Sequence, residues 1–156
     1  MPASKLVIGL PWYGWDFPCA EPEPATTPTA PDAAAAGNTT CAVVPPTGRP
    51  WYGWATQVAY GQVMATARQA GASPVTDAVT DTKHFDHTVA SGAASGRHQT
   101  WFDDPDTLQS KYARCKKLGA RGVAFWTADM PDSKTPSEGR QMWQAIDKGF
   151  PEPGGG

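Results

Sequence analysis

The chain has 156 residues, 40% of them hydrophobic, with a formal net charge of −2 at pH 7. This length predicts a single domain with its own core. Because Lys and Arg are neither abundant nor clustered, we expect no nucleic acid and no anionic membrane as a partner. No apolar run approaches the roughly 20 residues that a membrane-spanning helix needs.

The first segments of the chain predict a strand followed by a long loop. Residues 1–4 lead straight into an apolar segment, so we expect no signal peptide in this sequence. Residues 5–13 are almost continuously apolar, which is typical of a strand buried on both faces of a parallel sheet. Residues 18–50 are rich in Pro, Ala and Thr and predict an irregular loop.

The middle of the chain predicts a helix and a β-hairpin. Apolar residues at helical spacing indicate a helix over residues 59–70, with Gly71 at its C-terminal end. Two extended runs, residues 83–89 and 97–102, are joined by a segment rich in Gly, Ala and Ser and predict a hairpin.

The last third predicts helix, strand and helix. Asp103 or Asp104 can cap a helix that has Pro105 in its first turn. Its predicted apolar stripe comprises Leu108, Tyr112, Cys115 and Leu118. A buried-type strand over 122–126 and a helix over 137–148 follow. Without the inserted helix and hairpin, this order is the β-α-β-α unit of parallel α/β proteins.

Three cysteines allow two interpretations. Cys19, Cys41 and Cys115 could all be free thiols, or Cys19 and Cys41 could form a disulfide with Cys115 as a small core residue. Asn38 begins an Asn-Thr-Thr glycosylation sequon in the same loop. A disulfide and a glycan both belong to an oxidising compartment, so the sequon favours the bridge.

Other polar residues suggest chemistry that simpler roles explain. His84, Asp86 and His87 resemble a metal-binding set, but two His three apart on a strand point to opposite faces, so we expect no metal site. Asp103 and Asp104 could form a carboxylate pair for glycoside hydrolysis, but helix capping accounts for them. Asp129, just after the predicted strand over 122–126, is expected to form structural hydrogen bonds.

Three segments of the chain resemble glycoside hydrolase family 18, the chitinases, and in particular the di-N-acetylchitobiase type. Residues 9–14 (GLPWYG) are similar to the seventh barrel strand of that family. Residues 101–111 (WFDDPDTLQSK) resemble the segment that opens the helix before strand eight, and residues 122–126 (GVAFW) resemble strand eight.

This resemblance implies an α/β fold that is a partial TIM (β/α)8 barrel. Residues 1–150 would be the C-terminal portion of the catalytic barrel, with its last two strands and helices. A small α+β hairpin subdomain would be inserted at about residues 18–102, and residues 151–156 would be a disordered tail. Trp126 would form the floor under an N-acetylglucosamine ring, and Tyr13 would line the same pocket. The alternative is that Trp126 is a core residue of a buried strand and Tyr13 is satisfied within the barrel wall. Trp12 is expected to pack. Trp15 departs from the family pattern, since many relatives carry a basic residue at this position.

The resemblance also implies what this sequence lacks. The family's catalytic acid ends an Asp-x-x-Asp-x-Asp-x-Glu motif, and no segment here has that spacing. We therefore expect no catalytic residue in this chain and no activity from it alone; the acid would come from the N-terminal part of the same barrel. The expected ligand is an oligosaccharide containing N-acetylglucosamine, without a cofactor, in a lysosome, a vacuole or the extracellular space. The alternative function is a non-catalytic, chitinase-like lectin.

Overall fold

A computed structural model describes residues 1–20, 41, 55–92, 95–131 and 134–152. In chain order its elements are β1 (Val7–Pro11), β2 (Tyr13–Pro18), β3 (Thr56–Ala59), α1 (Tyr60–Ala70), β4 (Val75–Asp77), β5 (Thr82–Val89), β6 (Gly96–Phe102), α2 (Pro105–Lys117), β7 (Gly122–Trp126) and α3 (Pro136–Gly149). A short 3-10 turn, Ala3–Lys5, precedes β1. None of the helices among these residues is long and apolar enough to cross a membrane.

The two strands that resemble barrel strands of the family, β1 and β7, lie side by side and parallel. Val7 pairs with Gly122 and Pro11 pairs with Trp126, so both strands end at the same edge. Helix α2 leads into β7 and α3 follows it, which confirms the predicted α/β arrangement. The expectation of strands buried on both faces was wrong for the described residues. Exposure alternates along β1 and β7 because only one face packs on helices.

An antiparallel sheet of five strands, in the order β3-β2-β6-β5-β4, forms the inserted part. It is larger than the predicted hairpin, although β5 and β6 do pair as that hairpin. It also begins at Tyr13, before the expected boundary at residue 18. The apolar run over 5–13 is therefore not one strand: the chain leaves β1 at Trp12 and enters the second sheet. Most of the predicted loop over 18–50 lies outside the described residues.

Trp12 joins the two sheets. Its side chain is fully buried, and its indole stacks on Phe125 with ring centroids 4.0 Å apart. Its Nε1–H donates to the Tyr112 hydroxyl over 3.1 Å, which satisfies the polar atoms that burial would otherwise leave unpaired. The expected packing role of Trp12 agrees with these contacts.

One core unites the barrel-like part and the insertion. Helix α1 packs on the sheet face that carries Phe85 and Phe102, and the same buried cluster extends to Leu108 of α2 and Met142 of α3. An ion pair 2.7 Å long between the half-exposed Arg68 of α1 and the buried Glu138 of α3 links the two parts.

Helix ends follow local chemistry closely. Asp104 and Thr107 form a reciprocal capping box at the start of α2, and Gly71 ends α1 at φ +60°, where a side chain would be strained. Leu118 departs from the predicted stripe: it is 68% exposed because α2 ends at Lys117 and the chain turns through Gly119.

Candidate functional site

Trp126 ends β7 with its side chain directed to solvent. The indole is 65% exposed, although it belongs to a strand. Its backbone is fixed, because the Trp12 N–H donates to the Trp126 carbonyl over 2.8 Å and Pro11 lies opposite in the sheet. The peptide bond from Trp126 to Thr127 is cis. An exposed flat ring on a fixed backbone can contact an apolar sugar face.

Tyr13 lies just beyond the carboxyl end of β1, at the sheet edge that Trp126 also occupies. It begins β2, where it pairs with Ala59, and its side chain is half-buried. The ring packs edge-to-face on Trp15 with centroids 6.1 Å apart. The carboxyl ends of parallel strands are where binding sites of α/β barrels form, so the topology brings both predicted sugar contacts to one edge.

An aromatic surface extends from Tyr13 across the second sheet. Trp15 lies opposite Trp101 on the neighbouring strand, and the Trp101 indole stacks on the His84 ring at 4.4 Å. The Trp101 Nε1–H donates to Gln99 over 2.9 Å. Sequence reasoning missed this surface; the alternation of aromatic residues along β2 is the signal that could have predicted it.

A disulfide joins Cys19 and Cys41 in the structure, with Cα atoms 5.5 Å apart. It attaches Cys41 to the end of the antiparallel sheet, where the Cys19 N–H also donates to the Arg97 carbonyl over 2.9 Å. Cys115 is a buried free thiol whose pKa is raised by burial. The predicted glycosylation site, Asn38, lies outside the described residues.

Asp103 and Asp104 have separate structural partners. The side chain of Asp104 accepts from the Thr107 N–H over 2.9 Å as the helix cap. Asp103 is buried and accepts hydrogen bonds from the Lys111 ammonium and, over 2.9 Å, from the Thr107 hydroxyl. Burial raises the pKa of Asp103, and the Lys111 and Thr107 contacts oppose that rise. Asp104 therefore has the predicted capping role, whereas Asp103 is held by Lys111 and Thr107 and does not cap the helix.

Two further carboxylates also have local partners. Asp129 accepts a hydrogen bond from the Thr127 hydroxyl, as expected for a structural residue. Glu138 is buried, and one of its oxygens is held by Arg68. Glu21 and Glu23 lie outside the described residues, and Glu152 is exposed at the end of the chain that the structure describes.

His84, Asp86 and His87, considered above as metal ligands, do not share one face of the sheet. His84 stacks on Trp101, while Asp86 accepts from Arg97 over 2.6 Å on the same sheet face. His87 faces the other way, so the prediction that the two His point to opposite faces is confirmed by the register.

His87 belongs instead to a cluster of polar side chains on the other face of the sheet. Strand pairing places Asp16 and His98, distant in sequence, beside His87. The Asp16 carboxylate accepts from His87 over 2.8 Å, from His98 over 2.6 Å and from the Thr100 hydroxyl over 2.7 Å. Burial alone would raise the pKa of Asp16, but the hydrogen bonds from His87, Thr100 and His98 lower it.

A cavity of about 480 Å³ lies among the three helices. Its walls include Tyr60, Lys83 and Gln141, and neither Trp126 nor Tyr13 lines it. Its volume therefore adds nothing to the case for a sugar site at the strand ends.

Sequence comparison finds relatives that are named chitobiases. The chain is 29% identical over 157 residues to probable di-N-acetylchitobiase 1 of Dictyostelium discoideum, covering 94% of this chain and 38% of that protein. It is 27% identical to the di-N-acetylchitobiase of Rattus norvegicus, covering 91% of this chain and 36% of the relative. The chain thus spans little more than a third of the length of these relatives. No family model matches it.

Structural comparison gives the same fold. A chitinase from Chromobacterium violaceum superposes with a TM-score of 0.63 at 20% identity, covering 98% of this chain and 35% of that one. Human YKL-39, described as a pseudo-chitinase with retained chitooligosaccharide binding properties, superposes with a TM-score of 0.64 at 21% identity, covering 97% of this chain and 36% of that one. The α/β fold of this chain therefore matches part of a chitinase barrel, as the sequence resemblance implied.

Proposed function

We propose that residues 1–150 form the C-terminal portion of a glycosidase barrel of the chitinase family and supply one wall of its sugar-binding site. The antiparallel sheet and α1 are the insertion in this barrel. The ligand is an oligosaccharide containing N-acetylglucosamine, from chitin or the core of an N-glycan. Trp126 is the floor under one sugar ring, and Tyr13 contacts the same ligand.

The exposed indole of Trp126 carries this proposal. It is 65% exposed at the carboxyl end of a parallel strand, on a backbone held by the Trp12 amide. A pyranose ring presents a flat face of C–H groups, which an indole face covers well. Covering about 80 Å² of apolar surface stabilises the complex by roughly 2 kcal/mol at about 25 cal/mol per Å². That free energy is about a thirtyfold change in Kd.

Hydrolysis by the whole enzyme would be substrate-assisted and retaining. The substrate's own acetamido oxygen attacks the anomeric carbon while a glutamic acid protonates the leaving oxygen. The Asp-x-x-Asp-x-Asp-x-Glu motif that carries this acid is absent from the 156 residues. The acid therefore comes from an N-terminal part of the barrel, and the present chain by itself does not hydrolyse chitobiose-type substrates.

Calorimetric titration with chitotetraose tests the sugar site. We expect Trp126→Ala to raise Kd about thirtyfold or to abolish measurable binding. Trp143→Phe is the matched control: this indole is 49% exposed, but it lies on α3, where it packs against Trp12 and Phe125. Equal affinities for wild type and Trp126→Ala, or an equal loss in the control, would rule out the proposed contact.

A non-catalytic lectin is the second candidate. The similarity to human YKL-39, a pseudo-chitinase with retained chitooligosaccharide binding properties, favours it. Both candidates predict sugar binding at Trp126 and no hydrolysis by this chain alone. They differ in the N-terminal part of the barrel. If the protein is an enzyme, the upstream coding sequence encodes the Asp-x-x-Asp-x-Asp-x-Glu motif. If it is a lectin, that sequence encodes a barrel without the glutamate.

An oxidising location follows from the same proposal. The disulfide between Cys19 and Cys41 persists in a lysosome, a vacuole or the extracellular space and is reduced in the cytosol. Alkylation of cell extracts before and after reduction tests this, since one pair of thiols should become reactive only after reduction.

A further inference from the structure

A cluster of two imidazoles and one carboxylate lies on the sheet face that α1 covers. Asp16 comes from β2, His98 from β6 and His87 from β5, so three neighbouring strands each contribute one side chain. His87 lies directly opposite His98 in the register, and Asp16 lies opposite Thr100. The three side chains of the cluster and Thr100 are therefore held by the hydrogen-bonded ladder of the central strands of the sheet.

The cluster is well shielded from water. The side chains of His98, His87 and Asp16 are 5%, 10% and 16% exposed. Thr100 is buried beside them, and its hydroxyl lies 3.2 Å from His87 Nε2. Polar side chains at this depth need partners, and the carboxylate of Asp16 accepts from the other three.

The geometry points to a bound transition-metal ion: we propose that Asp16, His87 and His98 bind Zn²⁺. The donors are one carboxylate oxygen, His87 Nε2 and His98 Nδ1, and these three atoms all lie within 4.8 Å of one another. Bonds of about 2.0–2.1 Å in a tetrahedral Zn²⁺ site place donor atoms about 3.4 Å apart. The present contacts go to separate oxygens of Asp16, 2.8 Å from Oδ1 to His87 Nε2 and 2.6 Å from Oδ2 to His98 Nδ1. Binding therefore requires small shifts of the side chains that bring the three donor atoms to about 3.4 Å from one another.

Proton balance is simple at this site. Each imidazole now faces the carboxylate with a nitrogen that donates a proton to it. On binding, that proton leaves for the other ring nitrogen or for solvent, and the freed lone pair coordinates the ion. The ion thus takes the place of two hydrogen bonds, and a water molecule or the Thr100 hydroxyl completes four ligands.

The donor set selects the kind of ion. Imidazole nitrogens suit Zn²⁺, Cu²⁺, Ni²⁺ and iron, whereas Ca²⁺ and Mg²⁺ take oxygen ligands. Three protein ligands with an open fourth position fit Zn²⁺. His87 also lines a shallow surface cavity of about 470 Å³, which gives an ion a route from solvent. Arg97 lines the same cavity, but its charge is paired with Asp86 at 2.6 Å.

A zinc titration of the purified, metal-free 156-residue chain tests the site. We expect one ion per chain, with Kd raised at least tenfold by Asp16→Asn, by His87→Gln and by His98→Asn. His84→Gln is the matched control, because His84 lies on the same strand as His87 but on the opposite sheet face. Cys115→Ser controls for thiol binding and should leave the affinity unchanged.

A second measurement on the unaltered chain keeps the test decisive if a variant fails to fold. The sequence has three His, so imidazole ¹⁵N spectra are simple to follow. Zn²⁺ should shift the ring signals of His87 and His98 and leave His84 in place. Failure to bind one equivalent, affinity unchanged in all three ligand variants, or equal responses of the three His would each overturn the proposal.

Discussion

Replacing Gly149 with alanine tests the close approach of α2 and α3. A Cβ atom at this position would lie 2.5 Å from the Gln109 carbonyl oxygen and 2.7 Å from Tyr112 Cβ. Neither neighbour can move by rotating a side chain. To restore an ordinary contact of 3.4 Å, the helices must separate by 0.7–0.9 Å.

The expected cost comes from two opposing effects. Separation loosens contacts of Leu108, Tyr112 and Met142, which are fully buried, and overpacking of this kind destabilises by about 1–3 kcal/mol. Alanine in place of glycine favours the helix by at most about 1 kcal/mol. Because the clash is with backbone and Cβ atoms, we place it at the upper end and expect a net loss of about 2 kcal/mol. For a chain of this size, that lowers Tm by about 4–8 °C.

Thermal and urea unfolding, followed by tryptophan fluorescence, measures this loss. Gly139→Ala is the matched control, since it lies in the same helix and its added Cβ would make an ordinary contact with Pro131 Cβ at 3.8 Å. The control should be neutral or slightly stabilising. A Gly149→Ala variant as stable as wild type, or a control equally destabilised, would refute the packing argument.

Two further predictions concern stability. Lys111→Met leaves the Asp103 carboxylate buried without its cation, so we expect a loss of about 3 kcal/mol at pH 7. Burial already raises the pKa of Asp103, and a protonated carboxyl needs no cation, so this loss should shrink as pH falls through that pKa. Urea unfolding of wild type and variant at pH 7 and at pH 4 measures the two losses. Equal losses at the two pH values would contradict the ion-pair account. Reducing the Cys19–Cys41 disulfide, which closes a sequence separation of 22, should destabilise the chain by about 3 kcal/mol through loop-closure entropy. Unfolding with and without reductant measures this, with a Cys19→Ser/Cys41→Ser double variant as the control that should not respond.

Elements with strong local signals could be predicted from the sequence. Helix α2 has a capping Asp, a Pro in its first turn and an apolar stripe, and the structure begins it at Pro105 as expected. Strand β7 was predicted at residues 122–126 and lies there. The break at Trp12 could not be predicted, because local hydrophobicity does not distinguish one strand of nine residues from two strands that belong to different sheets. Strands β3 and β4, four and three residues long, were too short for a pattern.

The candidate sites divide in the same way. Trp126 and Tyr13 came from a motif resemblance, and the structure supplies their shared sheet edge and the exposure of the indole. The cluster around Asp16 depends on strand pairing over 71 and 82 positions of sequence, to His87 and His98. Spacing rules look for ligands close together in the chain, so they considered the neighbours of His87 on β5 and missed its true partners.

The most direct test of the sugar site is an NMR titration with chitotetraose that follows the indole N–H signals. The chain has seven Trp, so each signal can be assigned by single Trp→Phe variants. The account predicts the largest shift at Trp126 and little change at the buried Trp12. Shifts confined to Trp15 and Trp101 on the second sheet, or no shift at Trp126 at saturating sugar, would contradict it.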